Sequence, residues 1–297
     1  STYPLDTYAG QRIAKKSGAR LIHEVHDLWP LTLIEVGGMK RCHPFIVLLQ
    51  IAENSSYRHS DHVVSLAPFA KEYMVDHGMK PEKFVEISNG IVTEDWENAE
   101  GLPKQHERTL ERLKQEKKFI VGYFGGHGLS NALDTLLDVA KEIKEETIQF
   151  VLVGNGVEKP RLMERAEKEG IHNVTFLEPV SKKAIPILVT YFDCSYMGAL
   201  DSPLYRFGIC LNKMYDSMMA GKPILCAVKT PSSPVEKYEC GITVRVSDAG
   251  EIAKAVEEIY RMPKEERLKM GRRGRDAALN HYTYNVLSRR FEGLFRQ

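Results

Sequence analysis

Short apolar runs alternate with amphipathic segments along most of this chain. From residue 119 onward six such runs occur, at residues 119–124, 149–153, 173–177, 194–197, 223–228 and 241–246. Strands that are apolar throughout and alternate with helices are typical of a parallel sheet with helices on both faces. We therefore predict an α/β fold with a doubly wound, Rossmann-like domain in this part of the chain.

The N-terminal part has the same alternation on a smaller scale. Strands are predicted over residues 20–25, 62–65 and 84–88, and helices over 5–18, 45–57 and 67–77. The charged segment before residue 119 has few β-branched residues, as expected of a connection. The predicted organisation is a partial first domain (1–93), a connection (94–118), a second domain (119–281) and a terminal helix (282–297).

Composition indicates a soluble globular enzyme. Lys plus Arg (41) nearly balance Asp plus Glu (40), the formal net charge is +1, and 43% of residues are apolar. No nucleic-acid partner is expected from this balance. The five cysteines are odd in number and form no CxxC pair. They fit buried thiols in the cytoplasm better than disulfides or a zinc site, and no apolar run approaches the ~20 residues of a membrane span.

Residues 207–225 combine a glycine-containing loop, a short helix opened by Asn212 and closed by Gly221, and a buried strand. Helix starts present unpaired N–H groups and the positive end of the dipole, so Asn212 and Lys213 are candidates for holding a diphosphate. Asp216, one turn later, is a candidate for binding ribose hydroxyls. An ordinary loop-helix-strand unit is the alternative interpretation.

A second candidate loop contains Gly125, Gly126, His127 and Gly128 and follows a buried strand. Glycines let the backbone approach a phosphate closely, although the pattern is not the GxGxxG fingerprint and a tight turn explains it equally well. His127 is expected to be exposed rather than catalytic. Because both candidate loops follow strands of one parallel sheet, they are expected to converge on one nucleotide diphosphate.

Two features of the first domain are also candidates. His26 and Asp27 follow a predicted strand and could contact a substrate, although His26 could equally be structural. The apolar run at residues 45–52 follows Lys40 and Arg41. It is either a buried helix, the favoured interpretation, or a peripheral contact with a membrane surface.

Six motifs, taken in order, resemble those of bacterial family 4 glycosyltransferases of the GT-B fold. They lie at residues 24–30, 87–91, 121–125, 150–156, 173–177 and 212–223. The closest resemblance is to members that act on nucleotide-activated N-acetylated sugars in surface polysaccharide assembly. The resemblance covers the chain from His23 onward and implies two Rossmann-like domains.

The resemblance implies a retaining, metal-independent transfer from a UDP-sugar to a hydroxyl of a glycan or lipid-linked glycan, in the cytoplasm or at the inner membrane face. It assigns the diphosphate to residues 125–128 and 212–213, and the base to the backbone around Val180. Asp216 stands where the family usually has a ribose-binding Glu. His26 and Asp27 match positions near the donor sugar. The departing diphosphate is stabilised electrostatically, so no protein nucleophile is expected.

Three departures from the family pattern qualify this assignment. Gly208 replaces a common Glu, and the Arg and Lys that often follow the first strand of the second domain are absent, which leaves Lys213 as the main cation. Residues 1–7 resemble the end of a mid-domain strand, so the first domain is expected to be incomplete. Two alternatives follow: a nucleotide-sugar-binding remnant without transfer activity, and a nucleotide-sugar epimerase.

Overall fold

The computed structural model describes residues 3–244 and 248–296. The chain divides into two compact units. The first contains residues 1–89, 202–210 and 285–297, and the second contains residues 90–201 and 211–284. Each unit is organised around a parallel sheet.

The sheet of the first unit has three parallel strands in the order β1-β2-β3. They are β1 (Ile22–Val25), β2 (His62–Ser65) and β3 (Phe84–Glu86). The helices of this unit are α1 (Thr7–Ser17), α2 (Leu31–Glu35), α3 (Pro44–His59), α4 (Lys71–Asp76) and α14 (Tyr284–Arg296). The three strands predicted in this part of the chain are confirmed.

The first residues differ from the prediction of a strand end. Residues 1 and 2 lie outside the described part, and Pro4–Asp6 form a 3-10 turn that leads directly into α1. Pro4 favours this geometry because its fixed φ suits the first position of a helical turn. At the other end of the chain, Leu287 and Leu294 of α14 are buried with Val64 and Ile87 of the same unit.

Helix α3 is buried on one side only. Leu49 and Ala52 are 1% and 0% exposed, whereas Leu48 and Ile51 are 48% and 57% exposed. The expectation of a buried helix is therefore correct for one face. Among the described residues, no helix is both long enough and apolar enough to cross a membrane.

The sheet of the second unit has six parallel strands in the order β6-β5-β4-β7-β8-β9. They are β4 (Phe119–Phe124), β5 (Ile148–Val153), β6 (Val174–Leu177), β7 (Cys194–Gly198), β8 (Ile224–Ala227) and β9 (Gly241–Val244). All six predicted strands are present, although residues 245 and 246 of the last one lie outside the described part. The strand order reverses between β4 and β7, and the crevice at such a reversal is where open α/β sheets bind ligands.

Helices cover both faces of this sheet. They are α5 (Glu94–Glu97), α6 (Lys104–Gln115), α7 (Leu133–Glu142), α8 (Lys159–Lys168), α9 (Ile185–Thr190), α10 (Asn212–Met219), α11 (Pro234–Lys237), α12 (Ala249–Arg261) and α13 (Lys264–His281). Successive strand residues point to opposite faces. Tyr123 accordingly belongs to one core cluster, and Phe124 to the other. Residues 94–118, predicted as a connection, contribute Leu110 and Leu113 to the cluster that contains Phe124.

The cysteines are free thiols with different exposures. Cys194, Cys226 and Cys240 are buried, Cys210 is partly buried, and Cys42 is exposed. Burial raises the pKa of each of the three buried thiols to about 12. The prediction of buried thiols is therefore correct for these three and wrong for Cys42.

Candidate functional site

The glycine loop after β4 exposes only part of its backbone to a ligand. The Gly125 amide donates to the Val153 carbonyl at 3.0 Å, and the His127 amide donates to the Asn155 carbonyl at 2.9 Å. Within the described residues, the amides of Gly126 and Gly128 have no protein acceptor. Two of the four loop amides, and not all four as expected, are therefore available to a ligand.

Tyr123 and Asn131 fix the conformation of this loop. The Tyr123 hydroxyl and the Asn131 side-chain amide both donate to the Gly126 carbonyl, at 2.6 and 3.0 Å. With that carbonyl held against the protein, the peptide group between Gly126 and His127 cannot rotate freely. A preorganised loop of this kind avoids the cost of ordering when an anion binds.

Lys213 lies directly over the start of the loop. Its Nζ donates to Asn131 Oδ1 at 2.6 Å and to the Tyr123 hydroxyl at 3.1 Å. A Cβ built on Gly125 would lie 3.6 Å from Nζ, so the structure brings Lys213 and Gly125 together. Burial lowers the pKa of Lys213 to about 8. No carboxylate in the described part of the chain forms an ion pair with this amine.

Asn212 does not cap α10 as predicted. The capping position belongs to Leu211, which has the extended backbone (φ −82°, ψ 122°) that caps adopt, and Asn212 is the first helical residue. The Asn212 side chain is exposed, and no acceptor in the described residues takes the Asn212 or Lys213 amide. Gly221, with φ 66°, ends the helix as expected.

Asp216 lies one turn further along α10 and is partly buried. Burial raises the pKa of its carboxyl group to about 6, although a nearby Lys182 and a hydrogen bond from the Trp96 side chain oppose the shift. The carboxylate is therefore mostly ionised at neutral pH, and able to accept hydrogen bonds from hydroxyl groups.

A cavity of about 260 Å³ opens beside the glycine loop at the carboxyl ends of β4, β5 and β6. Its walls are Phe124, Gly125, Gly126, Val153, Gly154, Asn155, Pro179, Val180 and Ile185. Val180 thus shares a cavity with Gly125 and Gly126, as one ligand would require. A larger cavity of about 430 Å³ lies at the opposite end of the strands, next to Gln149 and Asn173, and contains none of the predicted site residues.

His127 is buried, so the expectation that it is exposed was wrong. Its side chain has 0% exposure and lies 5.9 Å from the Tyr123 ring and 6.2 Å from the Phe176 ring. The cause is the loop backbone, which hydrogen-bonds to the segment after β5 and directs the ring inward. Burial, with Lys159 and Lys213 nearby, lowers the pKa of His127 to about 4, so the ring is neutral.

His26 and Asp27 belong to the first unit, where they follow β1 and are exposed. His26 Nε2 lies 3.4 Å from Glu24 Oε1. The other predicted site residues all belong to the second unit.

Sequence reasoning missed Tyr123, Asn131 and Lys159, all of which hold the site together. The Gly154-Asn155-Gly156 turn followed by a lysine at a helix start was the available signal for Lys159. Among the described residues, no group of three or more His, Cys, Asp or Glu is placed to hold a metal ion.

Solved structures with similar folds are glycosyltransferases and related enzymes. The Anabaena Alr3699/HepE structure in complex with UDP has a TM-score of 0.75 at 16% identity, and the match covers 99% of this chain and 77% of that one. WaaG, a glycosyltransferase involved in lipopolysaccharide biosynthesis, has a TM-score of 0.68 at 15% identity, over 97% of this chain and 81% of that one. These likenesses confirm the predicted GT-B-type fold with two Rossmann-like domains.

A curated relative is the putative colanic acid biosynthesis glycosyl transferase WcaI of Escherichia coli K12. It is 25% identical over 198 residues, which are 65% of this chain and 48% of that protein. The chain thus spans about half the length of this relative.

Family models match both parts of the chain. The model for glycosyltransferase family 4 matches residues 1–95, and the model for glycosyl transferases group 1 matches residues 105–277. The second match covers more than half of the 297 residues. The chain therefore belongs to the group 1 glycosyl transferases.

Proposed function

We propose that this protein transfers a sugar from a UDP-sugar to a hydroxyl group of an acceptor. The observation that carries the proposal is the Lys213 amine, which lies over Gly125 and forms no ion pair with a carboxylate in the described part of the chain. The amides of Gly126 and Gly128 and the start of α10 add hydrogen-bond donors. Unbalanced positive charge beside open backbone amides is the arrangement that diphosphates bind.

The remaining parts of a nucleotide donor have matching features in the second unit. The base is assigned to the cavity lined by Val180, the ribose to Asp216, and the diphosphate to Lys213 and the glycine loop. The Anabaena HepE structure contains UDP, which supports uracil as the base here. His26 and Asp27 are assigned to the donor sugar, with His26 contacting a sugar hydroxyl.

The proposed reaction breaks the bond between the sugar C1 and the β-phosphate oxygen. The acceptor oxygen forms the new bond to C1 on the same face, so the anomeric configuration is retained. The acceptor proton passes to the departing diphosphate. Lys213 and the α10 dipole neutralise the charge that develops on the diphosphate, so no metal is assigned to the reaction.

The donor sugar is proposed to be an N-acetylated hexose and the acceptor a growing polysaccharide or a lipid-linked glycan. The relative named for colanic acid biosynthesis supports this setting. A cytoplasmic location at the inner face of the membrane is consistent with the exposed Leu48 and Ile51 of α3, which follow Lys40 and Arg41 in sequence.

Calorimetric titration with UDP tests the donor site. We expect the unmodified chain to bind UDP in preference to ADP, and Lys213→Ala to weaken UDP binding by about tenfold or more because a charge-assisted contact is lost. Lys254→Ala is the matched control, because Lys254 is exposed on α12 and pairs only with Glu251 among the described residues. Unchanged UDP affinity in Lys213→Ala would contradict the proposal.

A radiolabelled UDP-N-acetylhexose assay then separates the alternatives. Release of UDP together with a labelled glycan supports transfer, and binding without turnover supports the remnant. A changed sugar still attached to UDP supports an epimerase. His26→Ala should lower turnover while leaving UDP affinity within about twofold, because the proposed UDP contacts all lie in the second unit.

A further inference from the structure

We propose that Lys159 is a positioning residue that fixes the width of the nucleobase half of the donor cavity. The inference rests on the proposed function, because it takes the cavity beside Val180 as the subsite for uracil. Lys159 does not line that cavity. It acts through Gly154, which lines the cavity, and through Leu177 and Glu178, which directly precede the lining residues Pro179 and Val180.

The contacts of Lys159 join two cavity walls. Its Nζ donates to the Gly154 carbonyl at 2.9 Å, to the Leu177 carbonyl at 3.0 Å and to Glu178 Oε1 at 2.8 Å. An ammonium group has three hydrogens, so these acceptors use all of them. Gly154 itself lines the cavity, and residues 177 and 178 lead directly into Pro179 and Val180.

This link lies where the sheet stops holding the two strands together. The pairing of β5 with β6 ends at Val153 and Leu177, and the Gly154 amide makes one last bond to the Leu177 carbonyl at 3.2 Å. Beyond that point, regular backbone pairing no longer sets the separation of the two segments. Lys159 supplies a fixed connection there.

The position of Lys159 is unfavourable unless it has this role. It is the first residue of α8, where a positive charge opposes the helix dipole, and it is only 5% exposed. A buried cation at a helix start is costly without close acceptors. Two carbonyls and one carboxylate provide them, so the lysine and the two strand ends stabilise one another.

The two segments are also held on their outer sides. A Cβ on Gly154 would lie 1.9 Å from the Gly125 carbonyl oxygen, so Gly154 is packed closely against the β4 loop. His106 Nε2 lies 2.7 Å from the Glu178 carbonyl oxygen, which anchors the other segment to α6. Because the two segments are anchored to different neighbours, the β4 loop and α6, loss of the Lys159 link should affect mainly the gap between the segments.

Removal of Lys159 should weaken binding of the base and leave binding of the diphosphate unchanged. Lys159 contacts residues 154, 177 and 178. The groups proposed to bind phosphate, at Lys213 and Gly126, are instead held by Tyr123 and Asn131. These are separate sets of hydrogen bonds. Removal of Lys159 should therefore lower the affinity of every ligand that contains uracil, and by the same factor for each.

The test compares UDP, uridine and pyrophosphate as ligands of the full chain. For Lys159→Met we expect UDP and uridine to bind about tenfold more weakly, with pyrophosphate unchanged within about twofold. Lys213→Ala should give the opposite pattern, with weaker UDP and pyrophosphate binding and unchanged uridine binding. In turnover assays Lys159→Met should raise KM for the UDP-sugar by a similar factor and leave kcat within about twofold.

Two further variants keep the inference testable if Lys159→Met folds poorly. Glu178→Gln keeps both carbonyl contacts and should weaken uridine binding about threefold without affecting pyrophosphate. Lys159→Arg, which keeps the charge, should recover part of the uridine affinity. Unchanged uridine affinity in Lys159→Met and Glu178→Gln would overturn the role of Lys159 but not the proposed function. An equal loss of affinity for UDP, uridine and pyrophosphate would do the same. Failure of the unmodified chain to bind UDP would overturn both the role of Lys159 and the proposed function.

Discussion

Lys159 and Lys213 are both withdrawn from water in the second unit, but their surroundings differ. Lys159 has two carbonyl acceptors and the Glu178 carboxylate. Lys213 has the Asn131 amide oxygen and the Tyr123 hydroxyl, and no carboxylate among the described residues. A buried cation with a complete set of acceptors can stabilise the fold, whereas one without a counter-charge favours an incoming anion.

The two lysines are alike in their local sequence setting. Lys159 is the first residue of α8 and Lys213 is the second residue of α10, so both oppose a helix dipole. Their surroundings differ because the partners come from distant parts of the sequence: Glu178 for Lys159, and Tyr123 and Asn131 for Lys213. The presence or absence of a carboxylate partner is therefore more informative here than helix position.

Lys159→Met should have the largest effect on stability. It leaves two strand-end carbonyls and the Glu178 carboxylate without their donor. Because Glu178 is exposed and can be hydrated, we expect a loss of about 2–3 kcal/mol in the free energy of unfolding, less than for a fully buried pair. Calorimetry should show a Tm lower by roughly 5–10 °C.

Lys254→Met is the control for this measurement. Lys254 forms an exposed ion pair with Glu251 on α12, and because both side chains are well hydrated its loss should leave the stability close to that of wild type. A similarly small change in Lys159→Met would mean that water replaces the lysine at all three acceptors, and the contrast between the two lysines would disappear.

The pH dependence of UDP binding should show an effect of intermediate size. Burial lowers the pKa of Lys213 to about 8, so the amine of the free protein loses its proton above that pH. A bound diphosphate favours the charged form and raises this pKa. We therefore expect UDP affinity to fall about tenfold between about pH 7 and pH 9, equivalent to about 1.4 kcal/mol, with proton uptake on binding near pH 8.

Calorimetry in buffers with different ionisation enthalpies counts the protons taken up. Lys213→Arg is the matched variant, because its guanidinium stays charged throughout this range and should remove the pH dependence. A wild-type affinity that is constant from about pH 7 to pH 9 would show that Lys213 does not titrate at the site.

The sheet could be predicted from the sequence because it depends on local patterns. Each apolar run alternates with a helical segment, and all nine predicted strands are present, although β1 (Ile22–Val25) and β3 (Phe84–Glu86) are each two residues shorter than predicted. The site was only partly predictable. Glycines and a lysine near helix starts identified the loops, but their free amides could not be distinguished from those bonded to neighbouring segments.

His127 and Lys159 show why local patterns were insufficient. A histidine between glycines suggests exposure, yet the bond from the His127 amide to the Asn155 carbonyl turns its ring into the core. Lys159 binds Leu177 and Glu178, which belong to the next strand and its loop. Both outcomes depend on how the β4, β5 and β6 loops pack together, and side-chain direction at those loops follows from tertiary contacts.

Of Lys159 and Lys213, Lys213 should give the smaller effect on stability when replaced by Met, with the opposite sign to Lys159→Met. The folded-state pKa lies below the ordinary value of 10.5, so at neutral pH folding carries the cost of burying a charge. Met removes that cost but loses the bonds to Asn131 and Tyr123, and we expect a net gain of about 1 kcal/mol near pH 7. From about pH 8 to pH 10.5 the wild-type unfolded state binds more protons than the folded state, so wild-type stability should rise relative to this variant.

Urea denaturation of wild type, Lys213→Met and Lys254→Met near pH 7 and pH 9 measures both effects. A Lys213→Met protein as destabilised as Lys159→Met would mean that Asn131 and Tyr123 satisfy the amine, and that the missing carboxylate does not mark an anion site.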